Sequence, residues 1–281
     1  MAFSLNDFLP AAMQTGGPVI PIIRLSGAIG AVSPLRGGLT LAGLAGALDR
    51  AFGVKAAPAV GLIINSPGGA AVQSHQIFDR IRSLADEKKK KVIVGVEDVA
   101  ASGGYMIALA GDEIVVDPSS IVGSIGVVSA GFGFQDLIAR IGVERRVHTA
   151  GQNKVMLDPF QAERAEDVAR LESLQRDVHE MFITMVKARR GMQLKDDPDL
   201  FTGAFWSGTR SVELGLADRI GDLRSVLRSE YGPETRMKLI SSERSWRRRL
   251  GLVGSEHRVA MAVEGSVAAI EERLMWNRFG L

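Results

Sequence analysis

The chain contains no cysteine, so disulfides, thiolate nucleophiles and cysteine-held zinc are all excluded, while the redox compartment is left open. Histidine is scarce as well. His75, His148, His179 and His257 are scattered without a His-Glu-x-x-His or paired-ligand spacing, so neither a metal nor any other cofactor is expected. Aromatic residues make up only 6% of the chain and the formal net charge is +2, which leaves no broad basic face with interleaved stacking residues and argues against nucleic acid. Long apolar runs are missing too. Residues 18–23 are interrupted at Arg24 and residues 121–134 are glycine-rich, and neither reaches the roughly 20 residues that a membrane-spanning helix needs. Residues 1–17 lack a basic start followed by an apolar core, so they read as a retained N-terminal extension and not as a signal peptide. The expected setting is cytoplasmic.

What is present is a chain of 281 residues, 46% hydrophobic, long enough to bury a large core. Apolar runs bounded by glycine or proline mark strand candidates at 18–24, 59–65, 91–96, 113–116, 121–129 and 145–149. Helical patterns fill the gaps at 39–52, 71–87, 103–111 and 133–141, which predicts an α/β architecture with repeated strand-helix crossovers and parallel pairing. The block Asp86-Glu87-Lys88-Lys89-Lys90-Lys91 falls where a helix gives way to a strand, so its lysines read as solvated partners of the helix dipole.

A long helical region covers 160–190, with Val168, Leu171, Leu174, Val178, Met181, Phe182 and Met185 at helical spacing as core or subunit-packing surface. A shorter helical region is expected over 212–227. Residues 231–281 read as an amphipathic and basic extension. There Trp246-Arg247-Arg248-Arg249 precedes an apolar stripe of Val263, Val267, Ile270 and Leu274, which must bury itself on a neighbouring subunit, an acidic membrane surface or its own core.

Chemistry concentrates in glycine-flanked serines. The run Asp98-Val99-Ala100-Ala101-Ser102-Gly103-Gly104-Tyr105 follows a strand candidate directly. A serine at a strand-to-helix turn projects its hydroxyl clear of the sheet, and glycines beside it let a substrate approach backbone N–H groups. Ser-Gly-Gly taken alone reads equally as a helix cap or a turn. Asn65-Ser66-Pro67-Gly68-Gly69 and Val122-Gly123-Ser124-Ile125-Gly126-Val127 supply two further small-residue turns after strands, the place where open α/β sheets carry their sites. No histidine is placed to serve as a base. Lys154 is the candidate, in a short loop of uncharged residues. A lysine acting as a base must be neutral, and lowering its pKa from about 10.4 to about 7 takes roughly 4 to 5 kcal/mol of selective desolvation.

In their order and spacing, Asn65 to Gly69, Asp98 to Tyr105, Gly123 to Val127 and Lys154 resemble the signal peptide peptidase A family of serine proteases, relatives of the Clp protease and crotonase folds. The stretch Phe205 to Asp218 resembles a further family segment, so the resemblance covers residues 18–230, read as one peptidase domain. It implies a Ser-Lys dyad with Ser102 as nucleophile and Lys154 as general base, Gly69 and Gly103 as oxyanion-hole donors, and Ser124 as the hydrogen-bond partner of the lysine. It also implies peptide substrates such as membrane-derived signal peptides, and homo-oligomers whose active sites are partly built by neighbours. The chain departs from the family in lacking an N-terminal membrane helix and in carrying Met106 where a second aromatic is frequent. The same fold also serves acyl-CoA hydratases and isomerases and admits a non-catalytic scaffold, which stand as the alternatives.

Overall fold

The computed structural model describes residues 17–30, 38–151, 153–241 and 273–281. Residues 246–249 and Val263, Val267 and Ile270 of the expected tail lie outside these residues, as does most of the N-terminal extension.

The α/β expectation is met by an eight-stranded sheet in which β6 (Phe205–Ser207) and β8 (Arg236–Leu239) are the ends of the order β6-β5-β3-β2-β1-β8, with β4 branching from β3 and β7 pairing with β4. Its centre is parallel. β1 (Val19–Ser26), β2 (Ala59–Ser66) and β3 (Lys91–Ala101) pair in register through Ile22, Gly61 and Ile93, the pattern that crossover helices produce. α1 (Leu41–Phe52) and α2 (Ala71–Lys88) are those crossovers, and the Thr40 hydroxyl caps α1 by accepting from the Gly43 N–H at 3.1 Å.

Strand side chains alternate between two faces, and each face has its own cover. Ile23, Leu25, Leu62, Ile64 and Val94 point into the larger core beneath α1, α2 and α3 (Gly103–Ala108). Ile20, Ile22, Ala59 and Ile93 point the other way and meet Leu223, Val226 and Leu227 of α7 (Leu223–Tyr231). β8 (Arg236–Leu239) lies beyond residue 230 and pairs with β1 as a parallel edge strand.

β3 is the longest strand and has two neighbours on one side. Its first half pairs with β4 (Glu113–Val116) and its second half with β5 (Ile121–Gly123), so its end at Ala101 lies between the ends of β2 and β5. β5 is shorter than the expected 121–129, because Gly123 and Ser124 take positive φ of 112° and 52° and turn the chain out of the sheet. No strand forms over 145–149, where all but Val147 are exposed and no neighbouring strand offers a ladder. The helix expected over 212–227 is two helices, α6 (Gly208–Glu213) and α7, with β7 (Arg219–Ile220) between them. Gly215 and Gly221 break the path at φ of 78° and 159°, and Asp222 caps α7 by accepting from the Ser225 N–H.

Residues 127–164 stand out from this body. They carry α4 (Gln135–Arg140), none of whose residues is buried, and lead into the long helix α5 (Ala165–Arg190). Only the second half of α5 enters the core, through Phe182, Met185 and Val186, while Leu174 in the first half is 59% exposed.

Candidate active site

β3 delivers Ser102 to the edge of the sheet, where the chain turns at once into α3. Ser102 holds φ of 52° and ψ of −122°, a conformation that non-glycine residues rarely adopt and that costs on the order of 1–3 kcal/mol. The surroundings impose it. The Ser102 N–H donates to the Gly123 carbonyl at 2.8 Å, and the Ser102 carbonyl accepts the Met106 N–H of α3 at 3.0 Å. Ser102 therefore sits at the cap position of α3, yet its hydroxyl caps nothing. The side chain is left half-buried and facing a cleft of about 300 Å³.

The turn after β2 forms the opposite wall. The backbone of Ile29 clamps it on both sides: the Ile29 N–H donates to the Gly68 carbonyl at 2.8 Å, and the Ile29 carbonyl accepts from the Ala70 N–H at 2.9 Å. Gly68, at φ of 106°, comes so close to Ser102 that an added Cβ would lie 2.8 Å from the Ser102 Cβ. Gly69, at φ of 143°, would place a Cβ against the Ile29 carbonyl. This packing leaves the N–H groups of Gly69 and Gly103 without an acceptor among the described residues, and both glycines line the cleft. Such a pair can receive the negative charge that develops on a carbonyl oxygen.

A second set of contacts holds the two turns at a fixed separation. The Asn65 amide donates to the Asp98 carboxylate at 2.6 Å and accepts the Val99 N–H at 3.3 Å, tying the end of β2 to the end of β3. The Ser66 hydroxyl accepts the Gly68 N–H at 3.2 Å. Behind Ser102, Tyr105 donates its hydroxyl to the Leu216 carbonyl at 2.8 Å, and burial raises its pKa well above the usual range. Arg190 donates to the Gly215 carbonyl and pairs with Asp218 at 3.0 Å, which anchors the segment that Tyr105 leans on.

Ser124 is buried on the neighbouring strand end, its N–H donating to the Ala204 carbonyl at 2.7 Å, and its hydroxyl meets no partner among the described residues. Lys154 is elsewhere. It is exposed in a run of turns beyond α4, its main-chain N–H donates to the Gly151 carbonyl at 3.3 Å, and it does not line the Ser102 cleft. Of the five residues singled out by sequence, Ser102, Gly69 and Gly103 thus meet at one cleft, Ser124 adjoins it, and Lys154 is held apart.

Sequence reasoning assigned no role to Ile29, whose backbone clamps the turn, or to the Asn65–Asp98 lock, although both residues of the lock lie inside the quoted motifs. It also placed no part of the C-terminal segment at this cleft, yet Met275, Arg278 and Phe279 line it. The aromatic pair Trp276 and Phe279 near the chain end was the available signal.

The model of peptidase family S49 matches residues 85–231, just over half of the chain and the part that contains β3, Ser102, α3 and α5. A Na(+)/H(+) antiporter NhaA of Brucella abortus is 54% identical over 99% of this chain, which spans only 39% of that protein. A serine protease SPPA of Arabidopsis thaliana chloroplasts is 32% identical over 58% of the chain and 24% of its own length. A probable protease SohB of Buchnera aphidicola is 32% identical over 64% of the chain and half of its own length. Among the described residues no helix is long and apolar enough to cross a membrane.

Proposed function

Because the chain belongs to peptidase family S49, whose members have a Clp protease-like fold, we propose that it is a serine peptidase of the signal peptide peptidase A type, with Ser102 as nucleophile and Lys154 as general base. The observation that carries the proposal is the strained Ser102 turn, whose uncapped hydroxyl faces a cleft beside the unoccupied N–H groups of Gly69 and Gly103. The Ser102 Oγ attacks the peptide carbonyl carbon while the Lys154 amine accepts its proton. The oxyanion of the tetrahedral intermediate is received by the Gly69 and Gly103 N–H groups. Lys154 returns the proton to the leaving amine, and water hydrolyses the acyl-enzyme by the same relay.

The exposure of Lys154 shapes the rest of the proposal. In this chain the lysine is solvated and outside the cleft, so the reading requires that it reach the Ser102 of a neighbouring subunit. Docking there would strip away the water that favours its ammonium form and place Ser124 as its hydrogen-bond partner. The projection has the surface for this: Phe132 is 77% and Ile141 65% exposed, more apolar area than a solvated loop commonly leaves uncovered. The lining of Pro67, Ala71, Met106, Val127 and Phe182 suits apolar peptides such as those released from membranes. Ion transport is not carried over from the Brucella relative, because the match covers a minority of that protein and residues 85–231 match a peptidase family.

The test is a fluorophosphonate probe together with a set of apolar fluorogenic peptides. The wild type is expected to be labelled at Ser102 and to cleave, and Ser102→Ala and Lys154→Ala are expected to fold but not cleave. A hydratase built on the same glycine turns would leave the probe unreacted. Cleavage at the wild-type rate by either variant would overturn the dyad.

A further inference from the structure

The C-terminal segment is part of the Ser102 cleft. Residues 273–277 form one helical stretch, closed by the Phe279 N–H donating to the Trp276 carbonyl at 2.9 Å and the Gly280 N–H to the Asn277 carbonyl at 3.0 Å. Trp276 and Phe279 pack on Val99, Ala101 and Ile121, the face of β3 and β5 opposite the main core. Phe279 is 8% exposed and meets the Phe205 ring edge-on at 5.1 Å between centroids. That packing holds the segment beside Ser102, where Met275 and Arg278 line the cleft with Phe279.

The segment is a wall of the cleft and not a peptide waiting to be cut. A scissile peptide lies extended with one carbonyl at the nucleophile, whereas this stretch is helical and is held through aromatic side chains behind Ser102. Its chemical contribution is charge. Among the described residues every other one lining the cleft is uncharged, so Arg278 is the one ionic group they place there. It is exposed, its guanidinium meets no carboxylate among the described residues, and its Cζ lies 5.8 Å from the Phe279 ring centroid. An unpaired guanidinium beside an apolar cleft is matched by a carboxylate, which it can grip with two parallel hydrogen bonds.

We propose that Arg278 is a specificity-determining residue that selects peptides presenting a carboxylate near the scissile bond, either an acidic side chain or a free C-terminus. The inference rests on the peptidase reading above. Substrate binds with its apolar residues along Met106 and Phe182 and its carboxylate on Arg278, while Phe279 holds the arginine in place.

The test uses the full chain and four matched fluorogenic peptides that carry Glu or Gln beside the scissile bond, each with a free or an amidated C-terminus. Wild type is expected to favour the peptides with a carboxylate, and the Glu-amide and Gln-acid arms separate the two sources. In Arg278→Gln the preference, expressed as a ratio of kcat/KM values, is expected to fall about five-fold, mainly through KM. Arg278→Lys is expected to retain part of it, and Arg278→Glu to reverse it in favour of peptides with Lys. Phe279→Ala, which loosens the arginine without removing it, should weaken the preference to a smaller degree. An unchanged ratio in Arg278→Gln, with Ser102 still labelled by the fluorophosphonate, overturns the role of Arg278 alone. Absence of both labelling and cleavage in the wild type overturns the peptidase reading and this inference with it.

Discussion

The turn that carries Ser102 and the projection that carries Lys154 are built in opposite ways. The turn is over-determined: Gly123, Ile29, Asn65 and Tyr105 each fix part of it, and Ala100, Ala101 and Gly103 are buried around Ser102. The projection is held by a small cluster of its own. There Arg145 pairs with Asp158 at 2.8 Å and lies over the Phe160 ring, and Phe160 packs on Phe134, 5.7 Å between ring centroids. Its outer surface leaves Phe132, Leu137, Ile141 and Val143 exposed. The proposed nucleophile and the two N–H groups beside it are thus products of one chain's fold. The proposed base is presented on the exposed projection, apart from that turn.

The largest expected effect separates chemistry from folding at the two places. Ser102→Ala and Lys154→Ala should each lower kcat by on the order of 10³-fold or more, with thermal unfolding of both variants unchanged from wild type. A fall in unfolding temperature for Lys154→Ala would show that the lysine packs against its own chain. Next in size is a core truncation. Leu62→Ala, at a position with no exposure, should cost about 2–5 kcal/mol in denaturant unfolding.

A glycine pair sharpens the contrast with backbone conformation held equal. Gly68 and Gly151 have φ of 106° and 104°, but an added Cβ at Gly68 meets Ser102, Ala101 and Gly103, whereas at Gly151 it meets nothing within 4 Å. Gly68→Ala is expected to cost about 3 kcal/mol and to abolish fluorophosphonate labelling, while Gly151→Ala costs about 1 kcal/mol from the backbone alone and leaves labelling intact. Equal costs would mean that the Ser102 turn yields as readily as the projection. The smallest effect on the single chain belongs to Ile141→Ser, which should change unfolding of the dilute chain by about 0.5 kcal/mol or less. In sedimentation velocity the same variant should shift the chain toward smaller assemblies. A destabilised chain with unchanged assembly would reverse the reading of that surface.

Much of the body is legible in the sequence because its signals are local. The near-continuous apolar runs of β1, β2 and β3 announce strands buried on both faces, and the glycines at 68, 69, 103 and 104 announce the turns at their ends. The resemblance to the signal peptide peptidase A family is matched by membership of peptidase family S49. What was misread depends on partners distant in the chain. Residues 145–149 carry Val147 among polar neighbours and look strand-like, but a strand needs a ladder and none is offered. β8 and Phe279 take their places from tertiary contacts with β1 and with β3, which no local pattern encodes. Ile29 acts through its amide and carbonyl, which every residue but proline possesses, so its identity carried no signal.

The central claim, that one subunit supplies Ser102 and its neighbour Lys154, is tested most directly by mixing two inactive chains. Ser102→Ala and Lys154→Ala, co-expressed in equal amounts and purified as mixed assemblies, should regain about a quarter of the wild-type rate, the chance that an intact serine meets an intact lysine across a random interface. Mixed assemblies that contain both chains yet remain as inactive as either variant alone would contradict it.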